Sequence, residues 1–168
     1  MALVLNTNSY VTIADADTYF ETRIDSAEWE AADDETKEQA LVTATQLIDE
    51  RHWIGAAVSS SQALAWPRKD AIYYDPRMGQ QITIANDEVP SQVKIAVYEQ
   101  ALHLVQNEDL IAQKVQTFES ISVGSIRLTD SNGDVTKTSI TPSIIIKPLR
   151  PLIRRDGIGM GGSWWRAN

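Results

Sequence analysis

Residues 91–110, SQVKIAVYEQALHLVQNEDL, are the stretch of the chain that decides the fold. Apolar side chains cover nearly the whole circumference of a helix built on this stretch, namely those of Val93, Ile95, Ala96, Val97, Tyr98, Ala101, Leu102, Leu104 and Val105. A helix that is apolar all round lies inside a bundle or between subunits, because none of its faces can be left in water. The stretch therefore predicts a central helix, started by Pro90 or Ser91, in a mainly α protein.

An amphipathic helix precedes the central one, with Asp33 or Asp34 as its N-cap and its end near residues 52–53. Its apolar positions recur at spacings of three and four: Ala40, Leu41, Ala44, Leu47 and Ile48. Its other face is expected to be solvated and carries Lys37, Glu38, Thr45, Asp49 and Glu50. Shorter helices are expected over residues 13–24 and after Ser26, which is the predicted N-cap of the second one. Together these segments predict a small helical bundle.

Residues 54–90 predict a long ordered loop, because glycines, prolines and a serine triplet interrupt every helical pattern. Within it, residues 62–68 have the sequence QALAWPR. We expect Leu64 and Trp66 to pack the loop onto the bundle and Pro67 to fix the corner. Arg68 would then point outward or pair with an acidic residue, which makes it a candidate for contacts between subunits.

The pattern changes after residue 112. Residues 113–140 alternate apolar and polar residues and contain the turn signal Ser131-Asn132-Gly133-Asp134, which predicts a projecting β-hairpin. Thr141-Pro142 opens a short helix, and the glycine-rich end predicts an extended C-terminal tail. The chain is thus divided into a helical core (1–112, with the ordered loop 54–90), a β-hairpin region (113–140), and a short helix with the tail (141–168).

Composition narrows the possible classes of function. The 168 residues include no cysteine, which excludes thiolate zinc sites and cysteine nucleophiles and fits assembly in a reducing cytosol. The N-terminus lacks the basic region of a signal peptide, and no apolar run approaches the ~20 residues that span a bilayer. We therefore expect a soluble protein without a membrane partner.

Charge is distributed unevenly along the chain. Residues 1–110 hold 19 acidic and 7 basic residues, a net charge of −12, whereas residues 111–168 hold 4 acidic and 8 basic residues, a net charge of +4. Such asymmetry indicates two surfaces with different partners, or an ordinary acidic domain with a basic tail.

The tail combines arginines with tryptophans, the residue types most often found as interface anchors. Its candidate binding residues are Arg150, Arg154, Arg155, Trp164, Trp165 and Arg166.

No pattern in the sequence predicts catalysis. His52 and His103 lack metal-ligand spacing, and the paired carboxylates fall at helix ends and on exposed faces. Residues 130–134, DSNGD, fit a hairpin turn better than a calcium loop, and residues 157–162, GIGMGG, follow no predicted strand. We therefore predict no enzyme activity, no catalytic residue, no metal and no cofactor.

Four segments together resemble a known family: SYVTIADADTYF at residues 9–20, KEQALVTATQLIDERHWIG at 37–55, QALAWPR at 62–68, and VPSQVKIAVYEQAL at 89–102. They are similar to the head–tail adaptor proteins of tailed bacteriophages, also called head-completion or neck connector proteins. Some relatives carry the label of DnaT-like single-stranded DNA-binding proteins. The resemblance covers roughly residues 8–106 and does not include the glycine- and tryptophan-rich end.

The resemblance implies a small helical bundle that forms a ring, most often of twelve copies, beneath the portal protein in the neck of the virion. The ring would be assembled in the bacterial cytoplasm, extend the DNA channel and offer an attachment surface to the next neck or tail protein. DNA must slide through such a channel without binding, and an acidic wall repels phosphates. The candidates for this wall are Asp15, Asp17, Glu21, Asp33, Asp34 and Glu35.

In this interpretation the basic tail binds the portal protein, and removal of residues 150–168 should abolish that binding while leaving the bundle folded. The alternative is a single-stranded nucleic-acid-binding module, in which the tryptophans stack on bases and the arginines hold phosphates.

Overall fold

The computed structural model describes residues 2–107, 122–123, 126–127 and 141–154. The helices are α1 (Ile13–Phe20), α2 (Ala27–Ala31), α3 (Asp34–Asp49), α4 (Ser91–Gln106) and α5 (Ser143–Ile146), which continues into a 3-10 helix (Lys147–Leu149). The strands are β1 (Ala56–Ala57), β2 (Arg68–Lys69), β3 (Ile72–Asp75), β4 (Gln80–Thr83), β5 (Ser122–Val123) and β6 (Ile126–Arg127). The predicted mainly α class is confirmed, and the strands form small antiparallel pairs.

Helix α4 is the central element, as its apolar circumference predicts. It packs along α3 and also contacts α2, α5 and the 3-10 helix. The helix begins after Pro90 and ends at Gln106, with Asn107 as its C-cap. Of its apolar side chains, Ile95 is exposed and Val105 is half-buried. Contacts on several sides explain why so many positions of one helix are apolar.

Helix α3 begins after Asp33, whose carboxylate accepts a hydrogen bond from the Thr36 N–H at 2.8 Å. The predicted apolar stripe is buried, apart from the half-buried Leu47. The predicted solvated face was wrong at Lys37 and Thr45, which are both buried. The reason is that α3 has neighbours on both sides: the Lys37 ammonium lies against Trp29 of α2, and the Thr45 hydroxyl bonds to that of Ser9.

Helix α1 is shorter than residues 13–24, and it ends at Phe20. Thr12 caps it in a capping box: the Thr12 hydroxyl accepts from the Asp15 N–H, and the Asp15 carboxylate accepts from the Thr12 N–H, both at 3.1 Å. Ser26 occupies the N-cap position of α2 as predicted, but its hydroxyl donates to Glu30 at 2.7 Å and makes no capping bond.

Asp15→Asn is expected to lower the free energy of unfolding by about 0.5 kcal/mol at neutral pH, a small value because Asp15 is solvent-exposed. Hydrogen bonds from Thr12 lower the pKa of Asp15 below its usual value. A carboxylate with a lowered folded-state pKa contributes stability at neutral pH, and this contribution is lost as the pH falls through that pKa. Thermal unfolding at neutral and acid pH measures the difference, with Glu21→Gln as control. A deficit of equal size in acid would contradict the capping role.

The loop predicted over residues 54–90 contains four short strands. β1 pairs with β2, and β3 pairs with β4, both antiparallel. Gly55 has a φ of +70°, and a Cβ placed on it would lie 2.5 Å from the carbonyl oxygen of Lys69. Only glycine fits this close approach beside β1 and β2. Strands of two to four residues are too short to produce a clear alternation in the sequence, which explains the missed pairing.

A further antiparallel pair, β5 with β6, lies in the region predicted to form a hairpin. The turn predicted at residues 131–134 lies outside the described residues.

The segment 141–154 belongs to the same core as the helices before residue 107. Ile145, Leu149 and Leu152 are buried in one cluster with residues of α3 and α4. Pro142 precedes α5 and Pro148 lies in the 3-10 helix, so the helical segment predicted after Thr141-Pro142 is short. The chain therefore returns to the core in the segment 141–154.

Candidate interaction site

The QALAWPR corner packs onto the body through its tryptophan. Trp66 is 2% exposed, and its ring meets that of Trp53 edge to face, with 5.7 Å between the centroids. Leu64 is also buried, and the Trp66–Pro67 peptide bond is cis. Leu64 and Trp66 thus attach the loop to the body, with Pro67 at the corner.

Arg68 has a role that the sequence did not indicate. Its guanidinium donates to three backbone carbonyl oxygens: to Ile54 at 2.7 Å, to Gly55 at 2.9 Å and to Ala65 at 3.1 Å. The predicted outward or acid-paired position of Arg68 is not what these bonds show, and a role of Arg68 between subunits stays a prediction. Arg68 thus joins the two sides of the corner within one chain.

Asp49 and Tyr10 bind the backbone of the corner through hydrogen bonds. The Ala65 N–H donates to both carboxylate oxygens of Asp49, at 2.9 and 3.1 Å. The Tyr10 hydroxyl donates to Asp49 and accepts from the Trp66 N–H at 3.0 Å. Burial, followed by the hydrogen bond to Asp49, raises the pKa of Tyr10. Asp49 was wrongly predicted on the solvated face of α3. No spacing in the sequence marks it as a partner of Tyr10, which is 39 positions away, or of Ala65.

The corner adjoins the base of the C-terminal tail. Trp53 forms an antiparallel bridge with Ile153, in which the Ile54 N–H donates to Leu152 at 2.9 Å and the Arg154 N–H donates to His52 at 2.6 Å. Arg150 and Arg154 are exposed at this point. Of the predicted tail residues, Arg155, Trp164, Trp165 and Arg166 lie outside the described residues. The bridge therefore fixes the segment up to Arg154 next to Trp53.

Four of the six acidic candidates have hydrogen-bond partners within the described residues. Asp15 and Asp33 bond to the backbone at helix N-termini, and Asp17 accepts from the Trp29 indole at 2.8 Å and from the Lys37 ammonium at 3.1 Å. Glu35 accepts from the Gln39 side-chain amide at 3.2 Å, and it is exposed, as are Glu21 and Asp34. A role of the six residues in a channel wall stays a prediction.

Glu99 of α4 lies at a polar contact between α4 and the end of α1. Its carboxylate accepts hydrogen bonds from the Tyr19 hydroxyl and from the Arg23 guanidinium. Burial raises the pKa of Tyr19 to about 12, and the hydrogen bond to Glu99 contributes in the same direction. Arg23 also pairs with the exposed Asp25 at 3.2 Å. The cluster ties two helices together.

The hairpin of β3 and β4 carries apolar residues on both faces. On the inner face, Tyr73 lies opposite Ile82 and packs against the core. On the outer face, Ile72 and Tyr74 are 48% and 57% exposed, and Met78 in the connecting turn is 62% exposed. The sequence analysis did not single out this surface, although the alternation of residues 72–75 on two paired strands could have indicated it.

At the tip of this hairpin, Arg77 pairs with Asp75. The buried Asp75 carboxylate accepts from the Arg77 N–H at 2.8 Å and from its guanidinium at 3.0 Å. These bonds lower the pKa of Asp75 and raise that of Arg77. The Arg77 side chain is nevertheless 83% exposed. The tip thus presents one cation beside Met78.

Residues 2–167 match the model of the family described as "Putative DnaT-like ssDNA binding protein". The chain belongs to this DnaT-like family. No curated protein and no solved structure matches the chain.

Among the described residues of this DnaT-like chain, no group of three or more histidine, aspartate or glutamate side chains is placed to hold a metal ion. None of the helices in this part of the chain combines the length and the apolar character needed to cross a bilayer.

Proposed function

We propose that this member of the DnaT-like family is a structural head–tail adaptor of a tailed phage. In this proposal the helices form a small bundle, a hairpin projects from it, and the C-terminal tail extends away. Copies of the bundle form a ring of about twelve in the virion neck, in line with the family resemblance of residues 8–106. The ring docks under the portal protein, continues the DNA channel and receives the next neck or tail protein.

The observation that supports this proposal is that a basic segment, residues 141–154, is joined to an acidic body. Residues 2–107 hold 17 acidic and 7 basic residues, a net charge of −10. Residues 141–154 hold three basic residues and no acidic one, and their end is fixed to the body beside Trp53. DNA binds to basic surfaces because lysine and arginine neutralise phosphates and release the counterions of the DNA. An acidic body instead repels passing duplex DNA. A basic, aromatic tail suits an acidic protein partner.

The tail is tested by a truncation after residue 154. Removal of residues 155–168 takes away Arg155, Trp164, Trp165 and Arg166, and leaves the buried Leu152 in place. We expect the truncated protein to keep its helical content and to bind the portal protein at least about a hundredfold more weakly, since interface tryptophans and arginines each contribute about 2 kcal/mol or more. Pull-down and calorimetry with the purified portal protein measure this. Unchanged affinity would refute tail docking.

The ring is tested separately by electron microscopy of the full-length protein, alone and mixed with its portal protein. A ring with a central opening, coaxial with the portal, is the expected result. If the chain stays monomeric under both conditions, the adaptor function is refuted. In such a ring the channel-facing candidates Asp15, Asp17, Glu21, Asp33, Asp34 and Glu35 can be located directly, and their position on the outer surface would refute the acidic wall.

A second candidate is a single-stranded DNA-binding module, which the description of the matched family favours. The tail would then stack Trp164 and Trp165 on bases while its arginines contact phosphates. Binding of this kind weakens steeply with salt. Fluorescence titration with a single-stranded oligonucleotide at low and high salt distinguishes the two functions. Tight, salt-dependent binding that is lost on removal of residues 155–168 would favour this candidate over the adaptor.

A further inference from the structure

The hairpin of β3 and β4 has an outer face that the described part of the chain leaves uncovered. Ile72 and Tyr74 project from this face, next to Gln81 and Thr83 of the paired strand. Among the described residues neither strand pairs with a second neighbour. A two-stranded hairpin with apolar side chains on both faces is poorly suited to water, because only its inner face, with Tyr73, is packed.

Charge distinguishes this part of the molecule from the remainder. Residues 56–83 hold two acidic and three basic residues, a net charge of +1. The other residues of the segment 2–107 hold 15 acidic and 4 basic residues, a net charge of −11. Two copies of so acidic a body repel each other unless one of the touching surfaces is not acidic. Residues 56–83 supply such a surface.

We propose that the β3–β4 hairpin is an arm that docks on the acidic helical body of a second copy of this chain. Ile72, Tyr74 and Met78 provide the apolar contact, and Arg77 at the tip supplies a charge complementary to the neighbour. The proposal rests on the proposed function, since it assigns the contact that closes the ring.

The arrangement of the arm suits a ring. The arm and the acidic body are different surfaces of one molecule, so the contact between them is heterologous, with each copy both giving and receiving an arm. Such contacts close into a ring when a whole number of equal rotations between neighbouring copies makes one full turn. Tyrosine and arginine are also the residue types enriched among interface residues with large effects. The Asp75 carboxylate orients Arg77 while leaving its side chain 83% exposed.

The test compares a double variant, Ile72→Ser with Tyr74→Ser, with the control Ile24→Ser. Ile24 is equally apolar and fully exposed (103%), but lies in the connection between α1 and α2. Particle mass is measured by native mass spectrometry and light scattering over a range of concentrations. We expect the double variant to need at least about tenfold more protein for assembly, with the control assembling as the wild type does. Circular dichroism establishes that the variants are folded.

A second variant, Arg77→Glu, keeps the apolar face and reverses the charge at the tip. It is expected to weaken assembly most at low salt, where repulsion between like charges is least screened. Rings that form equally well from the wild type and from both variants would overturn the arm and leave the adaptor function intact. A wild-type chain that never assembles would instead refute the ring itself. Loss of oligonucleotide binding in the double variant, with its mass unchanged, would assign the hairpin to nucleic acid and overturn the contact between copies.

Discussion

Trp66→Ala is expected to lower the free energy of unfolding by about 3–5 kcal/mol, the range for loss of a fully buried aromatic side chain. The Trp66 ring fills the space between the corner and the body, where it meets Trp53. Its backbone N–H is bonded to the Tyr10 hydroxyl, so the corner cannot slide to close the cavity without breaking that bond. Denaturant unfolding, followed by circular dichroism of the helices, measures the loss.

The matched controls are Trp66→Phe and Trp53→Phe. No acceptor among the described residues lies within reach of the Trp66 indole nitrogen, whereas the Trp53 indole donates to the Asp49 carbonyl at 3.2 Å. Replacement of Trp66 by phenylalanine therefore loses volume alone, and replacement of Trp53 loses volume and a hydrogen bond. We expect Trp53→Phe to be less stable than Trp66→Phe by about 1 kcal/mol, the contribution of one hydrogen bond. Equal stability of Trp66→Ala and wild type would mean that the corner is not part of the core.

The helices could be predicted because their signals are local. The spacing of Ala40, Leu41, Ala44 and Ile48 and the capping residue Asp33 are properties of one segment, and each is found where the sequence places it. The central position of α4 follows from its own circumference. Here propensity, pattern and cap agree, which is the condition under which sequence interpretation succeeds.

The errors concern side chains whose partners lie far along the chain. Lys37 and Asp49 are charged residues on a predicted solvated face, and each is placed by a contact that no window of sequence contains: Lys37 by Asp17, and Asp49 by Tyr10 and Ala65. Arg68 binds carbonyl groups, and carbonyl groups have no signature in sequence. A long-range polar contact becomes visible only when the chain is folded.

The same limit applies to the candidate site. The sequence shows that the end of the chain is basic and aromatic, but not that residues 149–152 first return to the core. The apolar positions Ile145, Leu149 and Leu152 have spacings of four and three, which suit one helical face, and Pro148 and Pro151 conceal this pattern. All three side chains are buried. The core therefore extends at least to Leu152, and this changes what a truncation measures.

Removal of residues 150–168 is expected to destabilise the body by at least about 2–5 kcal/mol, contrary to the expectation from sequence that the bundle would stay intact. The truncation deletes Leu152, which is fully buried, and a lost leucine in a core costs about that much. It also removes the backbone hydrogen bonds from Ile54 to Leu152 and from Arg154 to His52. The bridge between Trp53 and Ile153 is lost with them. Thermal and denaturant unfolding of the purified truncation give the loss directly.

The control is the truncation of residues 155–168, which keeps Leu152 and the bridge between Trp53 and Ile153. This shorter deletion should unfold within about 1 kcal/mol of the full chain, because it removes nothing that the bridge needs. Leu152→Ala in the full-length chain should reproduce most of the destabilisation while keeping every tail residue. If both truncations are as stable as the full chain, the segment 150–154 does not contribute to the core. If both are equally destabilised, the tail itself packs on the body and is not free to reach the portal.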